Sequence, residues 1–581
     1  MRIPRPKKTL WTRTVALAAA GTLTVGALAA CSDGSATAAS DDSSAAEISA
    51  TDNSGRSAQD VLADNLSSDE TAALADQTWD VADEVAVTLD GDSASVPGSA
   101  SGVTVDGSTV TITEPGTYRI SGTLDDGQVV VDSSADGVVR LVLDGADVTS
   151  STGAAIDVQD ADQVSVVLAD GSTNRLEDAA KYADTTSDNA ANAALYSTAD
   201  LAISGGGALD VVGNANDGIT GKDGLVIASG TISVDAADDA IRGKDYLVVS
   251  GGTIDATAGG DGLKSDADDD ATAGYVALTG GDVTVEAGSD GVQGFTDVAI
   301  TGGTLTVTGS EEGIEAATIA VSGGDTDITS TDDGLNATVK GAEDDTATDE
   351  STEDTTTGDQ QTQPEPPADG EMPTGEPPAD GQAPADGQMP QGGGGMDAVE
   401  EGASLTITDG TLHVDAEGDG LDSNGVTVVS GGDVVVEGPT NGGNGALDSA
   451  GGSTVSGGTV LAVGSSGMAE AFDEGSTQGW VALTADATLE AGTEVAVVDA
   501  DGTQVATITL SKTAQSVVYS GPEIVDGDTY TLTADGDEVG TATAGDAPEG
   551  GMGGGHGGAA PDGSTDQGGQ TDPSSSGAAA S

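Results

Sequence analysis

Cysteine, aromatic side chains and positive charge are all scarce in this sequence of 581 residues. Cys31 is the only cysteine, so no intramolecular disulfide framework can form. With 3 Trp, 7 Tyr and 2 Phe, the chain cannot build its core on large aromatic side chains. Only 16 Lys and Arg residues stand against 100 Asp and Glu, which gives a formal net charge of −84. This balance argues against nucleic acid as a partner and favours the binding of cations.

Glycine and short aliphatic runs take the place of the missing residue types. The chain has 89 Gly residues, and its Val/Ile/Leu/Thr runs are short and separated by Gly and Asp. Such runs are typical of strands between tight turns, and the central region has no long amphipathic helix pattern. The composition therefore predicts an all-β fold.

The N-terminus reads as a targeting segment, and not as part of the folded domain. A basic stretch is followed by an apolar one that ends in Leu28-Ala29-Ala30-Cys31, which resembles a bacterial lipobox. The resemblance implies removal of residues 1–30 and acylation of Cys31, and hence attachment to the outer face of the cytoplasmic membrane. An uncleaved helix with an incidental cysteine is the alternative. The Ser/Ala/Asp-rich residues 31–75 are predicted to form a flexible acidic tether.

A glycine recurs with a nearly fixed spacing through the central region. Its successive gaps are 22, 29, 22 and 21 residues, and after an interruption 22 and 26 residues. The glycines are Gly230, Gly252, Gly281, Gly303, Gly324, Gly410, Gly432 and Gly458. A triplet of one acidic, one small and one aliphatic residue keeps the same spacing. The triplets start at Asp217, Asp239, Asp261, Asp290, Glu312, Asp333 and Asp419.

Each unit of about 22 residues holds three short strand-like pieces, for example the triplet itself, Tyr246–Ser250 and Thr253–Thr257. Three strands in so few residues predict one coil of a parallel β-helix, in which equivalent strands pair about 4.8 Å apart. A β-propeller is the rival fold, but a propeller blade needs roughly 40 residues.

The spacing also predicts the domain boundaries. The β-helix is expected over residues 76–474, interrupted by a disordered Pro/Gly-rich insertion at 341–395. Residues 475–541 alternate without the 22-residue period and predict a small antiparallel β unit that caps the open end. Residues 542–581 are Gly/Ser-rich and are expected to form a disordered tail.

Several stretches resemble the clostridial parallel β-helix proteins that bind acidic sugars. The resemblance is carried by 192–266, Ile120–Leu124, Leu141–Ile156 and Ser456–Phe472. It covers about residues 80–475, apart from the insertion. It implies a right-handed parallel β-helix, bound calcium, affinity for polygalacturonate or a cellulose-like polysaccharide, and no hydrolytic activity. The C-terminal unit does not map onto this family.

The acidic column predicts a metal site. Stacked coils place Asp217, Asp239 and Asp261 about 5 Å apart, where unpaired carboxylates repel one another. Calcium would relieve the repulsion because it binds six to eight oxygens. Asp290, Asp223 and Asp245 are further candidate ligands. Ordinary Asp-Gly turn chemistry is the alternative interpretation.

A second column is basic. Lys222 and Lys244 are 22 residues apart, and so are Arg242 and Lys264. They could receive the carboxylates of an acidic sugar, or they could form internal salt bridges to Asp223, Asp245 and Asp266. The aromatic residues Tyr246 and Tyr275 also become equivalent, and they could stack on a sugar ring or pack between coils.

These observations predict a calcium-dependent, monomeric polysaccharide-binding protein that is not an enzyme. The acids recur on every coil, whereas a catalytic constellation is normally unique in a chain. A surface adhesion or scaffold protein is one alternative. A pectate-lyase-like enzyme is the other, since the same fold supports several functions.

Overall fold

The computed structural model describes residues 55–75, 78–98, 100–182, 189–340 and 399–548. The predicted signal peptide, Cys31, the insertion 341–395 and most of the tail lie outside these ranges. No helix of the described ranges has the length and apolar character needed to span a membrane.

The described chain is a β-solenoid of about 11 turns with roughly 25 residues each, which confirms the predicted parallel β-helix. Each coil contributes one strand to a first sheet and two to a second, larger sheet. The first sheet, built on the acidic triplets, opens with Val103–Asp106, which pairs antiparallel with the strand Thr109–Ile112. Its parallel strands are Thr109–Ile112, Gln128–Asp132, Ile156–Asp160, Ala193–Ser197, Asp217–Gly221, Ile241–Gly243, Leu263–Ser265, Val292–Gly294, Ile314–Ala316, Leu335–Ala337, Leu421–Ser423 and Leu447–Ser449.

The larger sheet bends, so its strands form two faces. The second face is made of Gln163–Leu168, Leu201–Gly205, Gly224–Ile227, Tyr246–Val249, Tyr275–Leu278, Asp297–Ile300, Val426–Val429 and Ser453–Val455. The third face is made of Thr173–Glu177, Ala208–Gly213, Thr231–Ala236, Thr253–Ala258, Asp282–Ala287, Thr304–Gly309, Asp433–Glu437 and Thr459–Gly464. Long strands that turn through both faces are Gly116–Leu124, Val138–Thr149, Thr318–Ser330 and Ser404–Ala416. The sheet begins with Val85–Gly91 and its antiparallel neighbour Ser93–Ser95.

Strand pairing follows the spacing read from the sequence. On the third face Ile232 lies opposite Ile254, and Ile254 lies opposite Val283, which reproduces the gaps of 22 and 29 residues. The inward residues therefore stack as a ladder of aliphatic side chains, all 2% exposed or less. Thr318–Ser330 pairs in parallel with Ser404–Ala416, so the insertion leaves and re-enters the stack between consecutive coils.

The recurring glycines sit at the corner that leads into the third face. All eight have positive φ values, between 78° at Gly458 and 120° at Gly230. A residue with a Cβ atom is strained in this left-handed backbone conformation. The backbone of the neighbouring coil also lies very close to most of these glycines. A Cβ at Gly303 would lie 2.7 Å from the carbonyl oxygen of Gly281. The spacing of these glycines in the sequence is therefore the length of one coil, because each coil contains one turn that only glycine makes without strain.

The middle strands of the second face are buried on both sides, from Gly224–Ile227 to Asp297–Ile300. Their outer cover corrects the prediction of a flexible tether for residues 31–75. Residues 55–75, which we call the strap, pack against the outer surface of this face and contain the helices Ala58–Leu62 and Asp69–Ala72. The apolar side chains Ala58, Val61 and Leu74 are at most 2% exposed. A one-turn 3₁₀ helix, Val81–Asp83, then leads into the first strand. Burial of these apolar residues orders the strap, and the rest of the proposed tether lies outside the described ranges.

The C-terminal unit extends the solenoid. Strand Ala514–Ser520 pairs antiparallel with the last strand of the third face, Thr459–Gly464, and with Trp480–Leu489. A separate antiparallel sheet follows, made of Glu494–Val498, Gln504–Thr509, Thr529–Ala534 and Asp537–Thr543. The unit therefore covers a sheet edge that would otherwise stay open, and its last strand ends two residues beyond the predicted boundary at 541.

Replacing Gly303 by Ala should destabilise the fold, because the new Cβ meets backbone in a left-handed conformation. We expect the free energy of unfolding to fall by about 1–3 kcal/mol from backbone strain alone. Gly309→Ala is the matched control, since a Cβ there meets nothing within 4 Å and its φ is not left-handed. Urea denaturation of both variants measures the difference, and equal losses of stability would contradict the strained turn.

Candidate metal and ligand site on the first sheet

The acids of the triplets stack on one another at the entrance to the first sheet. Ile219 pairs with Ile241, and Ile241 with Leu263, so the acids two residues before each form one column. Asp217, Asp239, Asp261 and Asp290 are between 1% and 5% exposed. Exposed turns would leave these carboxylates in solvent, so the turn-chemistry interpretation alone does not describe them.

Most of these carboxylates hold the adjacent coil by a hydrogen bond. Asp239 Oδ1 accepts the backbone N–H of Asp261 at 3.0 Å, and Asp261 Oδ1 accepts that of Asp290 at 3.0 Å. Asp333 Oδ1 accepts the N–H of Asp419 at 2.6 Å. The column thus has a structural role, in which these three acids each position the next triplet along the axis.

Asp217 is satisfied by side chains. Its Oδ2 accepts hydrogen bonds from Asn192 Nδ2 and Thr220 Oγ1, both at 2.7 Å. Burial, together with the nearby charge of Asp239, raises the pKa of Asp217 to about 7. This carboxyl is therefore more easily protonated than an exposed one, although the nearby Arg242 guanidinium favours its charged form.

Two of the four predicted basic residues neutralise acids within the protein. Lys264 Nζ lies 2.7 Å from Asp261 Oδ2 and 3.2 Å from Asp239 Oδ2. Arg242 forms a bidentate pair with Asp266, and its Nη1 lies 3.9 Å from Asp217 Oδ2. The salt-bridge interpretation is right for this pair of bases. Asp266 was a predicted partner, whereas the column acids that hold Lys264 were not.

Lys222 and Lys244 differ from this pair. They stack at the corner after the first-sheet strand, where Lys244 N–H donates to the carbonyl of Gly221. Among the described residues, neither ammonium has a carboxylate oxygen within the 4.0 Å of an ion pair. Partial burial, and then the charges of Arg242 and Lys244, lower the pKa of Lys222.

Asp223 and Asp245 occupy the same corner as these lysines. Asp245 N–H donates to the carbonyl of Asp223 at 3.4 Å, so the two residues are neighbours in the stack. The strand Asp217–Gly221 separates this corner from the start of the triplet. The structure therefore does not bring Asp223 and Asp245 to the acidic column, which corrects the single ligand set expected from the sequence.

Tyr246 and Tyr275 are stacked, as their equivalence predicts, but the strap covers them. Their ring centroids are 5.4 Å apart with an interplanar angle of 24°. They are 6% and 3% exposed, and their hydroxyls bond to Thr71 Oγ1 and to the carbonyl of Leu66, each at 2.7 Å. The packing role is therefore the one observed, and the predicted stacking on a sugar is wrong for this arrangement.

A cluster of three carboxylates lies further along the same sheet. One ligand oxygen from each of Asp290, Glu312 and Glu315 lies within 4.8 Å of the others. Burial and the neighbouring carboxylates raise the pKa of Asp290 to about 8 and that of Glu312 to about 7. Glu312 was visible in the sequence as a triplet acid, but neither it nor Glu315 was selected as a ligand.

The cluster arises from a change along one outward-facing ladder of the first sheet. The paired positions of this ladder are Thr220, Arg242, Lys264, Gln293, Glu315, Asn336, Asp422 and Asp448. Where Lys264 supplies a cation to the column, Glu315 two coils later adds another anion. Lys340 pairs with Glu315, which leaves most of the negative charge of the cluster uncompensated.

Two oxygens beside the cluster are buried and have no hydrogen-bond donor. They are Glu312 Oε2 and Asn336 Oδ1. The other polar atoms of the same side chains are bonded, since Asn336 Nδ2 donates to Glu312 Oε1 at 3.2 Å. Buried oxygens without a donor are costly, so an additional positive group would stabilise this part of the sheet.

Comparisons with known proteins support the family predicted for the central region. Residues 106–355 match the model of a family described as carbohydrate-binding domain-containing protein. A relative with the same description, from Acetivibrio thermocellus, is 42% identical over 136 residues, which are 23% of this chain and 48% of the relative. This chain thus spans about half the length of the curated relative that it matches.

A solved structure is also similar in sequence. It is titled as the structure of the polysaccharide lyase-like protein from C. thermocellum, gadolinium derivative, and it is 33% identical to this chain. The match covers 42% of this chain and 94% of that chain, with a TM-score of 0.36.

Replacing Lys264 by Met should destabilise the protein, because it leaves Asp239 and Asp261 buried without their cation. Breaking such a pair costs about 3 kcal/mol at neutral pH. The loss should shrink as the pH falls, because burial already raises the pKa of Asp239 and removal of the Lys264 ammonium raises it further, so that in the variant this carboxyl is protonated and needs no cation. Urea denaturation of Lys264→Met and Lys222→Met over a pH series tests this, since Lys222 has no such pair. A loss of stability that is equal for both variants, or independent of pH, would contradict the assignment.

Proposed function

We propose that this protein is a non-catalytic, calcium-dependent polysaccharide-binding protein that favours acidic glycans. The family match over residues 106–355 supports the carbohydrate partner. The finer proposal rests on the charged groups of the first sheet. This sheet presents unpaired lysines at one corner and, two coils further along the axis, an oxygen cluster whose charge Lys340 compensates only in part.

Calcium suits the oxygen cluster. A hard cation takes carboxylate and amide oxygens as ligands, and Asp290, Glu312, Glu315 and Asn336 supply only these. The donor-free oxygens of Glu312 and Asn336 support an electropositive occupant, as does the raised pKa of Asp290. A bound cation would supply charge neutralisation here. The acids near Lys264 and Arg242 already have protein cations, so we place calcium at the later coils.

A uronic-acid carboxylate suits Lys222 and Lys244. At long range the net charge of −84 repels a polyuronate, so binding requires a local positive site. These two ammonium groups meet that requirement because no carboxylate of the described residues is paired with them. Calcium shared between the acidic cluster and further sugar carboxylates would add a second contact along the same chain.

The acids of the column support binding over catalysis. One carboxylate oxygen accepts a backbone N–H of the next coil in each of Asp239, Asp261 and Asp333. This contact is structural, and it recurs along the column. A lyase is the second candidate, and the lowered pKa of Lys222 favours it, because proton abstraction needs a neutral amine. Elimination would produce unsaturated uronides, so ultraviolet absorbance of polygalacturonate incubated with the protein separates the two functions.

The lipobox-like segment supports a position on the outer face of the cytoplasmic membrane, with Cys31 acylated. In that position the solenoid would meet plant or microbial polysaccharide as a monomer held by a lipid anchor. Metabolic labelling with a fatty-acid analogue tests the anchor, since Cys31→Ser should abolish the label.

Calcium should raise the thermal stability through the oxygen cluster. A ligand present at 100 times its dissociation constant stabilises the folded state by about 2.7 kcal/mol. We therefore expect a Tm several degrees higher in millimolar calcium than in EDTA, and a much smaller shift for Glu315→Gln. Asp255→Asn, which removes an exposed acid of the third face, is the matched control and should keep the full shift. Melts that are identical with and without calcium would contradict the metal site.

Retention on polygalacturonate should depend on the free lysines. The double variant Lys222→Gln, Lys244→Gln should lose at least tenfold in affinity while keeping its calcium-bound Tm. EDTA should weaken binding of the wild type separately, since it removes only the bridging cation. Pull-down on polygalacturonate and on cellulose measures both effects. If the wild type in calcium binds neither of these nor any arrayed glycan, the scaffold alternative replaces sugar binding.

A further inference from the structure

The strap crosses many coils, and its order along the axis is the reverse of the chain order of those coils. Gly55 N–H donates to Thr406 Oγ1 at 3.3 Å, and Ala58 N–H donates to Ser322 Oγ at 2.7 Å. Both partners belong to late coils. The strap therefore starts beside the coil that follows the insertion.

The strap then descends towards the early coils. Asn65 Nδ2 donates to Asp297 Oδ2 at 2.9 Å, and Leu66 N–H donates to the carbonyl of Thr272 at 2.7 Å. Further on, Thr71 bonds to Tyr246, and Ser165 Oγ donates to the carbonyl of Leu74 at 3.2 Å. From Thr406 to Ser165 the second face takes seven steps between paired strands, which is about 34 Å at roughly 4.8 Å per step.

The contacts combine apolar burial with polar pairing. Ala58 and Val61 pack on Ala299 and Ala320, while Leu62 and Ala72 pack near the stacked tyrosines. Asp297 is 7% exposed, and burial raises its pKa, so its bond to Asn65 stabilises the charged form. Without the strap, the tyrosine pair and Asp297 would face solvent.

The outer residues of the second face are small where the strap helix docks. Paired outward positions carry Ala277, Ala299 and Ala320, so the backbone of the strap comes close to the sheet. A sugar ring that reached Tyr246 and Tyr275 would have to displace this segment. The aromatic pair is thus closed by a part of the same chain.

We propose that the strap is a longitudinal clamp, which docks last onto the completed stack and joins its coils into one cooperative unit. Docking also closes the tyrosine-bearing face to other ligands.

The order of docking follows from the sequence separation of the contacts. Gly55 and Thr406 are 351 residues apart, and Ala58 and Ser322 are 264 residues apart. The strap leads the chain, but its binding surface is complete only after all coils between Ser165 and Thr406 have stacked. In a solenoid each coil contacts only its neighbours, so a segment that touches both the coil of Ser165 and that of Thr406 adds a coupling that the stack itself lacks.

The test uses the full chain with a protease recognition site inserted between Ala75 and Thr78, cut only after folding. We expect the cut strap to remain bound in native buffer and to be released at a urea concentration well below that at which the solenoid unfolds. After release, nitration should modify Tyr246 and Tyr275, which are protected before it. The remaining unfolding transition should broaden or split.

A site inserted between Asp501 and Gly502, in an exposed turn, is the control for cutting itself, and it should change neither nitration nor the transition. The proposal is overturned if the strap dissociates on cutting without any change in the unfolding transition. Nitration of both tyrosines before release would equally overturn it.

Point variants of the intact chain test the docking contact, and hydrogen exchange during refolding tests its order. Val61→Asp should expose the strap to proteolysis and broaden unfolding, whereas Val81→Asp should not, because Val61 is 2% exposed and Val81 is 68% exposed. In pulsed hydrogen exchange during refolding of the wild type, the amides of 58–74 should gain protection after those of the third face. Protection of the strap before or together with the early coils would refute docking on a completed stack.

Discussion

Parallel pairing between consecutive coils is the constraint on which the rest of this structure depends. Because each strand pairs with its equivalent about 4.8 Å away, every residue lies above and below a residue in the same role. Aliphatic side chains then stack as interior ladders, and one glycine per coil must make the same left-handed turn. An irregular spacing would turn inward side chains outward, so the period is held even where loops and a long insertion interrupt it.

The same constraint divides the acids into two kinds. On the third face, exposed acids are mostly separated by Thr or Ser in the ladder, as Asp282 is by Thr253 and Thr304. This spacing keeps like charges from facing each other directly. In the triplet column the acids stack without such separation and are buried. There each one needs a partner, which is a backbone N–H, a polar side chain as at Asp217, Lys264 or, as we propose, calcium.

The structural features that repeat could be predicted from the sequence, whereas those that occur once could not. Register, the glycine turn and the re-entry after the insertion follow from spacing alone. The strap was missed because its two helices have only 5 and 4 residues, which is too short for a helical periodicity to be recognised. A signal was present, however, in strands such as Tyr246–Val249, which are apolar at every position and so require cover on both sides. The partners of Lys264 and the cluster around Glu315 depend on how far a side chain reaches along the axis, which the spacing does not encode.

The strap has a consequence for how such a chain can change over time. Solenoids grow and shrink by duplication or loss of whole coils, since each new coil offers its neighbours the same surface. Here a segment of fixed length must reach from Thr406 to Ser165, so its length fixes the number of coils between these two contacts. If coils were inserted within that interval, the strap would be too short to make both contacts. Lineages of this protein should therefore vary in coil number outside this interval and keep it constant inside.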